Sequence, residues 1–295
     1  TPCAAESYAV RTPEQVYLSA CATCHGVDGS GTDPEISGLD LEPPDFTDCV
    51  FASREPDADW VAVAHQGGPV RVFDRMMPAF GDTLDVAALE LAMAHIRTFC
   101  RKGAWPRGEL NLPLAMFTGK AFPEDEAVFR TGASLESPGS IQSRFVYERR
   151  LGPRNQWEIV IPFASREDAG GGWQHGLGDV AFAVKRALYH SLDQGAIFSL
   201  TVEGIFPTGS EDKGLGSGTT VIEPFATFGK ILPSDGFLQA QVGAGLPFDR
   251  DRAGREGFAR IALGKSFVQG TWGRTWSPMV EVLAARPLED GATTH

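Results

Sequence analysis

The sequence predicts two domains of different class, an all-α domain followed by an all-β antiparallel domain. Helical periodicity of the apolar residues is confined to the segment before residue 105, and two-residue alternation replaces it after about residue 124. Residues 1–104 carry 16 Asp and Glu against 7 Lys and Arg, a net charge of −9, whereas the remaining residues carry −3. Glycine is distributed in the opposite way, since only 8 of the 34 glycines precede residue 105.

These patterns divide the chain into three parts. We expect domains at residues 1–104 and 124–295, joined by a linker at 105–123 that contains three prolines. A chain of 295 residues with 42% hydrophobic residues can fill two cores. It contains no run of about 18 uncharged apolar residues, which excludes a membrane-spanning helix but not a membrane β-barrel. The net charge of −12 argues against a nucleic-acid partner.

The first helix has a clear start signal. Thr12 is a capping residue, Pro13 suits the first helical position, and Gln15 completes a capping box. We therefore expect a helix that begins at about Pro13, carries the first cysteines on its last turns and ends at the glycine Gly26.

The residues on those turns form a CxxCH motif. Cys21 and Cys24 are three positions apart, and His25 follows directly. Two thiols at this spacing can add to the vinyl groups of a haem, and the adjacent imidazole can bind its iron, so the motif is the attachment signal of c-type haem. A zinc site would need two further ligands at finger-like spacing, and none follows.

A second helix is predicted from Val86 to Phe99, with Asp85 as its cap. Leu89, Met93 and Ile96 recur at the spacing of an amphipathic helix, and we expect this stripe to pack against another helix.

Residues 10–100 resemble a class I cytochrome c. The resemblance lies in CATCHG near the start, MPAFG about fifty residues later, and the closing helix. It implies an all-α cytochrome c fold and one covalent haem c, with thioether bonds from Cys21 and Cys24, His25 as the proximal iron ligand and Met77 as the distal one. Met76 competes for the distal position, but Met77 directly precedes proline, as the family pattern requires.

The resemblance also implies the chemistry of the site. A His/Met ligand pair favours ferrous iron and leaves no iron position open to substrate, which is typical of one-electron transfer. The prolines at 43–44 are expected to pack near the haem, and Trp60 either lines the haem crevice or belongs to the core. No catalytic triad, phosphate-binding loop or paired-carboxylate site is recognisable, so we expect an electron carrier rather than an enzyme. The acidic charge predicts a redox partner with a basic docking patch.

The compartment in which c-type haem is attached is oxidising, so disulfides persist there. We therefore predict that Cys49 and Cys100 form a disulfide; the alternative is two separate buried thiols. Cys3 is then unpaired. We expect the protein on the periplasmic side of a Gram-negative-type envelope.

Eight strands are predicted in the second domain, at residues 142–150, 156–163, 179–189, 196–206, 219–229, 236–246, 258–268 and 278–286. One face of the strand at 196–206 carries Phe198, Leu200 and Val202, and the other carries Ser199 and Thr201. Most of these strands have the length needed to cross a membrane when tilted, whereas globular strands average about 5 to 6 residues. An up-and-down barrel is therefore expected, with a soluble β-sandwich as the alternative.

The strand and turn style from Gly176 to Tyr189, and in the turn at residues 207–209, resembles bacterial outer-membrane porin-like barrels. The last strand lacks a terminal aromatic residue, so the chain is expected to be truncated at its C-terminus. Glu203, Arg260 and Glu281 either line a lumen or are ordinary surface charges.

These expectations favour an electron carrier anchored by its β domain at the outer membrane. Two alternatives stay open: an outer-membrane channel with the haem domain as redox gate or plug, and a cytochrome subunit of a periplasmic dehydrogenase.

Overall fold

The computed structural model describes residues 11–38, 40–100, 104–134, 139–167, 170–268 and 275–288. The chain divides between Glu109 and Leu110 into a helical unit and a β unit. The helical unit is small, and the β unit is a large antiparallel curled sheet. The predicted fold class, an α domain followed by a β domain, is therefore confirmed.

The described residues of the helical unit form six short to medium α-helices. They are α1 (Pro13–Ala20), α2 (Ala22–His25), α3 (Pro34–Ser37), α4 (Cys49–Ala52), α5 (Asp57–Gln66) and α6 (Val86–Phe99), with 3-10 turns at Gly68–Arg71 and Gly108–Leu110. α6 packs against both α1 and α5. Within the described ranges, no helix combines the length and apolar character that crossing a membrane would require.

Helix α1 begins where its capping signal predicts. Thr12 Oγ1 accepts a hydrogen bond from the Gln15 amide at 3.2 Å, and Gln15 Oε1 accepts one from the Thr12 amide at 2.9 Å. The helix is interrupted at Cys21, whose φ of −115° departs from helical geometry. The second cysteine therefore lies on the separate turn α2 rather than on one continuous helix, and Gly26 ends that turn as expected.

Helix α6 also matches its prediction. Asp85 caps it by accepting a hydrogen bond from the Ala88 amide at 2.8 Å. Leu89, Met93 and Ile96 are all buried, which confirms the apolar stripe. Burial of this stripe against α1 and α5 is what holds the three longest helices together.

A disulfide joins Cys49, the first residue of α4, to Cys100, the residue after α6. This confirms the predicted pairing and closes a loop of 51 positions. Beside it, the Arg97 guanidinium lies 4.7 Å from the centre of the Trp60 ring and donates to Asp57 Oδ1 at 2.7 Å. The prediction for Cys3 falls outside the described residues.

The described part of the β unit contains twelve strands. They are β1 (Glu126–Ser134), β2 (Ser140–Leu151), β3 (Asn155–Glu167), β4 (Trp173–Leu177), β5 (Val180–Ser191), β6 (Ala196–Phe206), β7 (Val221–Leu232), β8 (Gly236–Pro247), β9 (Glu256–Lys265), β10 (Phe267–Val268), β11 (Thr275–Trp276) and β12 (Met279–Pro287). The eight predicted strands correspond to β2, β3, β5 to β9 and β12. Strand β1 was not predicted, because its two large apolar residues, Val128 and Phe129, are consecutive and hide the alternation; β4, β10 and β11 are short.

Ten strands form a single antiparallel sheet in the order β1-β2-β3-β5-β6-β7-β8-β9-β12, with β4 paired to the second half of β3. Strands β10 and β11 pair only with each other. Neighbours in the sheet are thus neighbours along the chain, which is up-and-down topology. In the described residues all the long strands belong to this one sheet, whereas the alternative sandwich requires two facing sheets.

The faces of the sheet have an unusual polarity. On β6, Ser199 and Thr201 are buried, at 0% and 3% exposure, whereas Leu200 and Val202 are 46% and 48% exposed. On β5, Lys185 is buried, whereas the large apolar residues Phe182, Val184 and Leu188 are exposed. A half-buried strand of a water-soluble sheet normally shows the reverse pattern.

The buried face is covered by residues 110–123, here called the inner segment. Its buried side chains are Leu110, Leu112, Ala115, Thr118, Ala121, Phe122 and Pro123. Leu110 and Phe122 belong to the same core cluster as Ala187 of β5 and Ile197 of β6. Residues 110–123 of the stretch expected as a linker belong to the β unit, and several apolar side chains between its prolines are buried.

Side chains from many strands bind the backbone of the inner segment. Gln239 on β8 donates to the Pro113 carbonyl at 2.7 Å, and Arg150 on β2 donates to the Pro123 carbonyl at 2.7 Å. Gln156 on β3 accepts from the Glu124 amide, just past the segment, at 2.7 Å. Polar side chains on the buried face of the sheet therefore supply hydrogen-bond partners to backbone groups of the inner segment, which does not pair with any of the described strands.

One loop of the inner segment bridges the two ends of the sheet. Glu281, on the end strand β12, accepts from the Met116 amide at 2.8 Å and from the Thr118 amide at 2.9 Å. Arg130, on the opposite end strand β1, donates to the Met116 carbonyl at 3.3 Å. The sheet therefore curls far enough for both of its end strands to hold the same residue.

Candidate functional site

The CxxCH motif occupies one tight turn of the chain. The amides of Cys24 and His25 donate to the Cys21 carbonyl at 3.2 and 3.0 Å, which draws the three side chains into one neighbourhood. Neither Cys21 nor Cys24 forms a disulfide, and both are partly exposed. Burial, reinforced by the neighbouring Cys24, raises the pKa of the Cys21 thiol to about 11. Cys21 is therefore a neutral thiol at physiological pH.

The imidazole of His25 is held by two residues of the following loop. It stacks on the Phe46 ring, with ring centres 4.6 Å apart and an angle of 21° between the planes. Burial lowers the pKa of His25, and the backbone carbonyl of Pro44 acts on the same ring in the opposite sense. Burial thus favours the neutral imidazole, which is the form that binds metals.

The turn itself is tied to the helices. Tyr17, buried on α1, donates from its hydroxyl to the Gly26 carbonyl at 2.6 Å, and its ring packs 5.2 Å from that of Phe99 on α6. Gly29 follows with a φ of +80°, and a Cβ at this position would lie 2.5 Å from the Phe99 ring. Only glycine fits there, so the loop after His25 lies directly against α6.

The predicted distal ligand, Met77, lies in a loop that closes against the end of α5. The Gly68 amide donates to the Met77 carbonyl at 3.1 Å. A Cβ on Gly68 would come within 2.0 Å of the Asp74 carbonyl oxygen, so glycine is required for this close approach. Met77 is half-buried, whereas its neighbour Met76 is 44% exposed.

Shared contacts connect the two predicted ligands to one framework. Phe46, which stacks on His25, also contacts Trp60 of α5, with ring centres 5.3 Å apart. The Met77 loop is in turn bound to the C-terminal end of α5, since the Phe80 amide donates to the Ala64 carbonyl at 2.9 Å. Helix α5 thus contacts both the residue that stacks on His25 and the loop that carries Met77. It also places Trp60 against Phe46, beside the predicted proximal ligand.

Residues 9–96 match the family model described as cytochrome C oxidase, cbb3-type, subunit III. A search of the curated proteins finds no match. The matched segment lies in the helical unit and contains Cys21, Cys24, His25 and Met77. The match supports a cytochrome c domain, a haem cofactor and electron transfer, and it indicates an electron carrier rather than a catalyst.

The residues of the turn fit a haem of the c type. Two unbridged thiols lie beside a half-buried imidazole, and a half-buried thioether is attached to the same framework. Soft sulfur and neutral nitrogen are suitable axial ligands for haem iron. The described residues thus include the side-chain types that thioether attachment and iron ligation require.

Sequence reasoning missed the residues that hold the imidazole in place. Phe46 lies in an irregular loop with no periodicity, and its partner is 21 positions away, so only the folded chain brings the two rings together. The adjacent prolines were the available signal, and the structure does place Pro44 beside His25.

Among the described residues of the β unit, one group of carboxylates has metal-ligand spacing. Ligand atoms of Glu124, Glu126 and Glu148 lie within 4.8 Å of one another. Glu124 pairs with Lys120, however, and Glu148 accepts from Gln156 at 2.6 Å. These partners account for the cluster as part of the network around the inner segment, and we assign no metal to it.

Proposed function

We propose that this protein is an electron carrier with one covalent haem c, attached through Cys21 and Cys24 and ligated by His25 and Met77. The observation that carries the proposal is the single turn that places two unbridged thiols beside a half-buried imidazole. The bound haem supplies an iron that cycles between two oxidation states by one electron.

The chain's own residues have defined tasks in this scheme. Phe46 and Pro44 orient the His25 ring, and Tyr17 ties its turn to α1. The loop packed on the end of α5 positions Met77. If His25 and Met77 both bound the iron, side chains of the protein would occupy the positions that a substrate needs, which would suit electron transfer without bond formation.

Covalent attachment is tested on denaturing gels stained for haem. The wild-type protein should retain the stain, and the double variant Cys21→Ser/Cys24→Ser should lose it. A wild-type protein that matures in the periplasm without retaining haem would overturn the proposal.

The distal ligand is tested with two adjacent methionines. Met77→Ala should abolish the methionine–iron absorption band of the oxidised protein and lower its reduction potential, because the sulfur ligand favours ferrous iron. Met76→Ala is the matched control and should retain both properties. Loss of the band in Met76→Ala alone would reassign the ligand.

We further propose that the β unit anchors this carrier in the outer membrane, with the haem domain on the periplasmic side. The support is the polarity of the sheet: Lys185, Ser199 and Thr201 lie on its buried side among small and apolar residues, whereas Leu200 and Val202 are exposed. Monomeric soluble proteins rarely expose apolar areas of this extent, whereas a lipid-facing barrel requires them.

Fractionation of the full-length protein tests the anchor. We expect the haem-stained protein in the outer-membrane fraction, with release only by detergent. Leu200→Arg places a charge on the exposed apolar face and should reduce membrane insertion at a cost of about 2–4 kcal/mol at mid-depth. Ser210→Arg, in a turn, is the control. Wild-type protein that is released by salt buffer alone would refute the anchor and leave the electron carrier intact.

A basic redox partner is proposed from the acidic balance of residues 1–104, which is −9. Association should slow as ionic strength rises, because salt screens the attraction between exposed charges. A rate independent of salt would contradict this proposal.

The channel alternative is less favoured than the anchor, because the inner segment covers the buried face of the sheet.

A further inference from the structure

The ring of Phe46 stacks directly on the imidazole of His25, the predicted proximal iron ligand. Its ring lies nearly parallel to that of His25, with centres 4.6 Å apart and 21° between the planes. Phe46 is buried, at 5% exposure. One face of the imidazole is therefore covered by a side chain that has no polar atom and makes no ligand bond itself.

Phe46 is itself held on several sides. Its amide donates to the Gly29 carbonyl at 2.7 Å, which fixes its backbone to the loop after His25. Its ring contacts Trp60 at 5.3 Å between centres, and Trp60 is in turn covered by the Arg97 guanidinium at 4.7 Å. The position of the Phe46 ring is thus determined by α5 and α6 as well as by its own loop.

We propose that Phe46 is a positioning residue for the haem iron: it fixes the plane of the His25 imidazole and keeps water from that face of the ring. This inference rests on the proposed ligation by His25. An imidazole bound through one nitrogen can turn about that bond, and residues that contact a ligand without binding the metal set its orientation. The plane of the ligand in turn affects the electronic asymmetry of ferric iron.

Burial of the ligand also affects the reduction potential. Ferric haem carries one more positive charge than ferrous haem, and water stabilises the more charged state. An apolar ring that excludes water from the proximal ligand therefore favours the ferrous state, since burial is one of the means by which a protein sets haem potential. Loss of the Phe46 ring should lower the potential.

The test compares Phe46→Leu with Phe51→Leu in the haem-loaded full chain. Phe51 contacts the same Trp60 ring, at 5.4 Å, so the control removes an equivalent aromatic contact. Phe46→Leu should change the haem-methyl NMR shifts and the EPR g values of the oxidised protein, and lower its potential. Phe51→Leu should leave all three close to wild type, and Phe46→Tyr, which retains the ring, should restore them.

Two outcomes would overturn the inference. The first is a haem-loaded Phe46→Leu protein with the spectra and potential of wild type. The second needs no variant: the reduced wild-type protein should show cross-relaxation between the ring protons of Phe46 and His25, and its absence would disprove the stacking. A wild-type protein without haem would instead refute the proposed function, so the two failures are distinguishable.

Discussion

Replacing Glu281 by alanine removes the carboxylate that tethers the inner segment at the end strand β12. This carboxylate accepts hydrogen bonds from the amides of Met116, Phe117 and Thr118, and from the Thr118 hydroxyl at 2.8 Å. We expect the loop to detach from β12 and to lose much of its protection from solvent.

The size of the destabilisation depends on which of these donors can form hydrogen bonds with water once the carboxylate is removed. Met116 and Phe117 are 75% and 51% exposed, so their amides can be rehydrated, whereas Thr118 is only 3% exposed. Each of its two donors left without an acceptor costs about 1–3 kcal/mol, so Glu281→Ala should destabilise the loop by about 3 kcal/mol. At about 1.4 kcal/mol per factor of ten, this corresponds to roughly a hundredfold faster exchange of the Thr118 amide.

Hydrogen exchange and denaturant unfolding of the full chain measure the effect. Glu211→Ala is a suitable control for Glu281→Ala, because Glu211 pairs with Arg252 and both side chains are substantially exposed. Exposed pairs contribute about 0–1 kcal/mol, so the control should unfold close to wild type. Unchanged Thr118 exchange in Glu281→Ala, together with an unchanged unfolding midpoint, would refute the assigned role of the carboxylate.

Three further predictions concern the helical unit. Replacing Cys49 and Cys100 by alanine should cost about 4 kcal/mol, because the disulfide closes a loop of 51 positions, and thermal unfolding with and without reductant checks this. Gly29→Ala should lower the unfolding temperature, because its Cβ would lie 2.5 Å from the Phe99 ring at a φ of +80°; unaltered melting would contradict the packing. Burial raises the pKa of Tyr17, so the folded unit favours the neutral phenol. Stability should be full below the unfolded phenol's pKa of about 10 and fall as the pH rises above it, and Tyr17→Phe should reduce that slope in unfolding titrations.

Local signals in the sequence were sufficient for many elements of the fold. The capping box at Thr12, the cap at Asp85 and the apolar stripe of α6 each depend on residues within a few positions of one another. The eight long strands were recognisable for the same reason, since alternation is visible along a single strand. Strand β1 was not predicted because its large apolar residues, Val128 and Phe129, are adjacent and do not alternate with polar residues.

In the candidate site, too, only the features carried by residues close together in the sequence could be predicted. Cys21, Cys24 and His25 lie within five consecutive positions, so their common chemistry could be inferred from the motif alone. Phe46 and Tyr17 act on this motif from other loops and helices, and their contacts exist only in the folded chain. A linear pattern cannot reveal which aromatic residue covers the imidazole.

The sequence by itself determined the two-domain order, the starts of α1 and α6, most strands and the haem-attachment motif, because each depends on periodicity or spacing within a short segment. Only the tertiary structure decided which face of the sheet is buried and what covers it. Alternation separates Ser199 from Leu200 but does not say which of them faces inward. That choice depends on residues 110–123, which contact strands from β2 to β12 and whose role is set by partners distant in the chain.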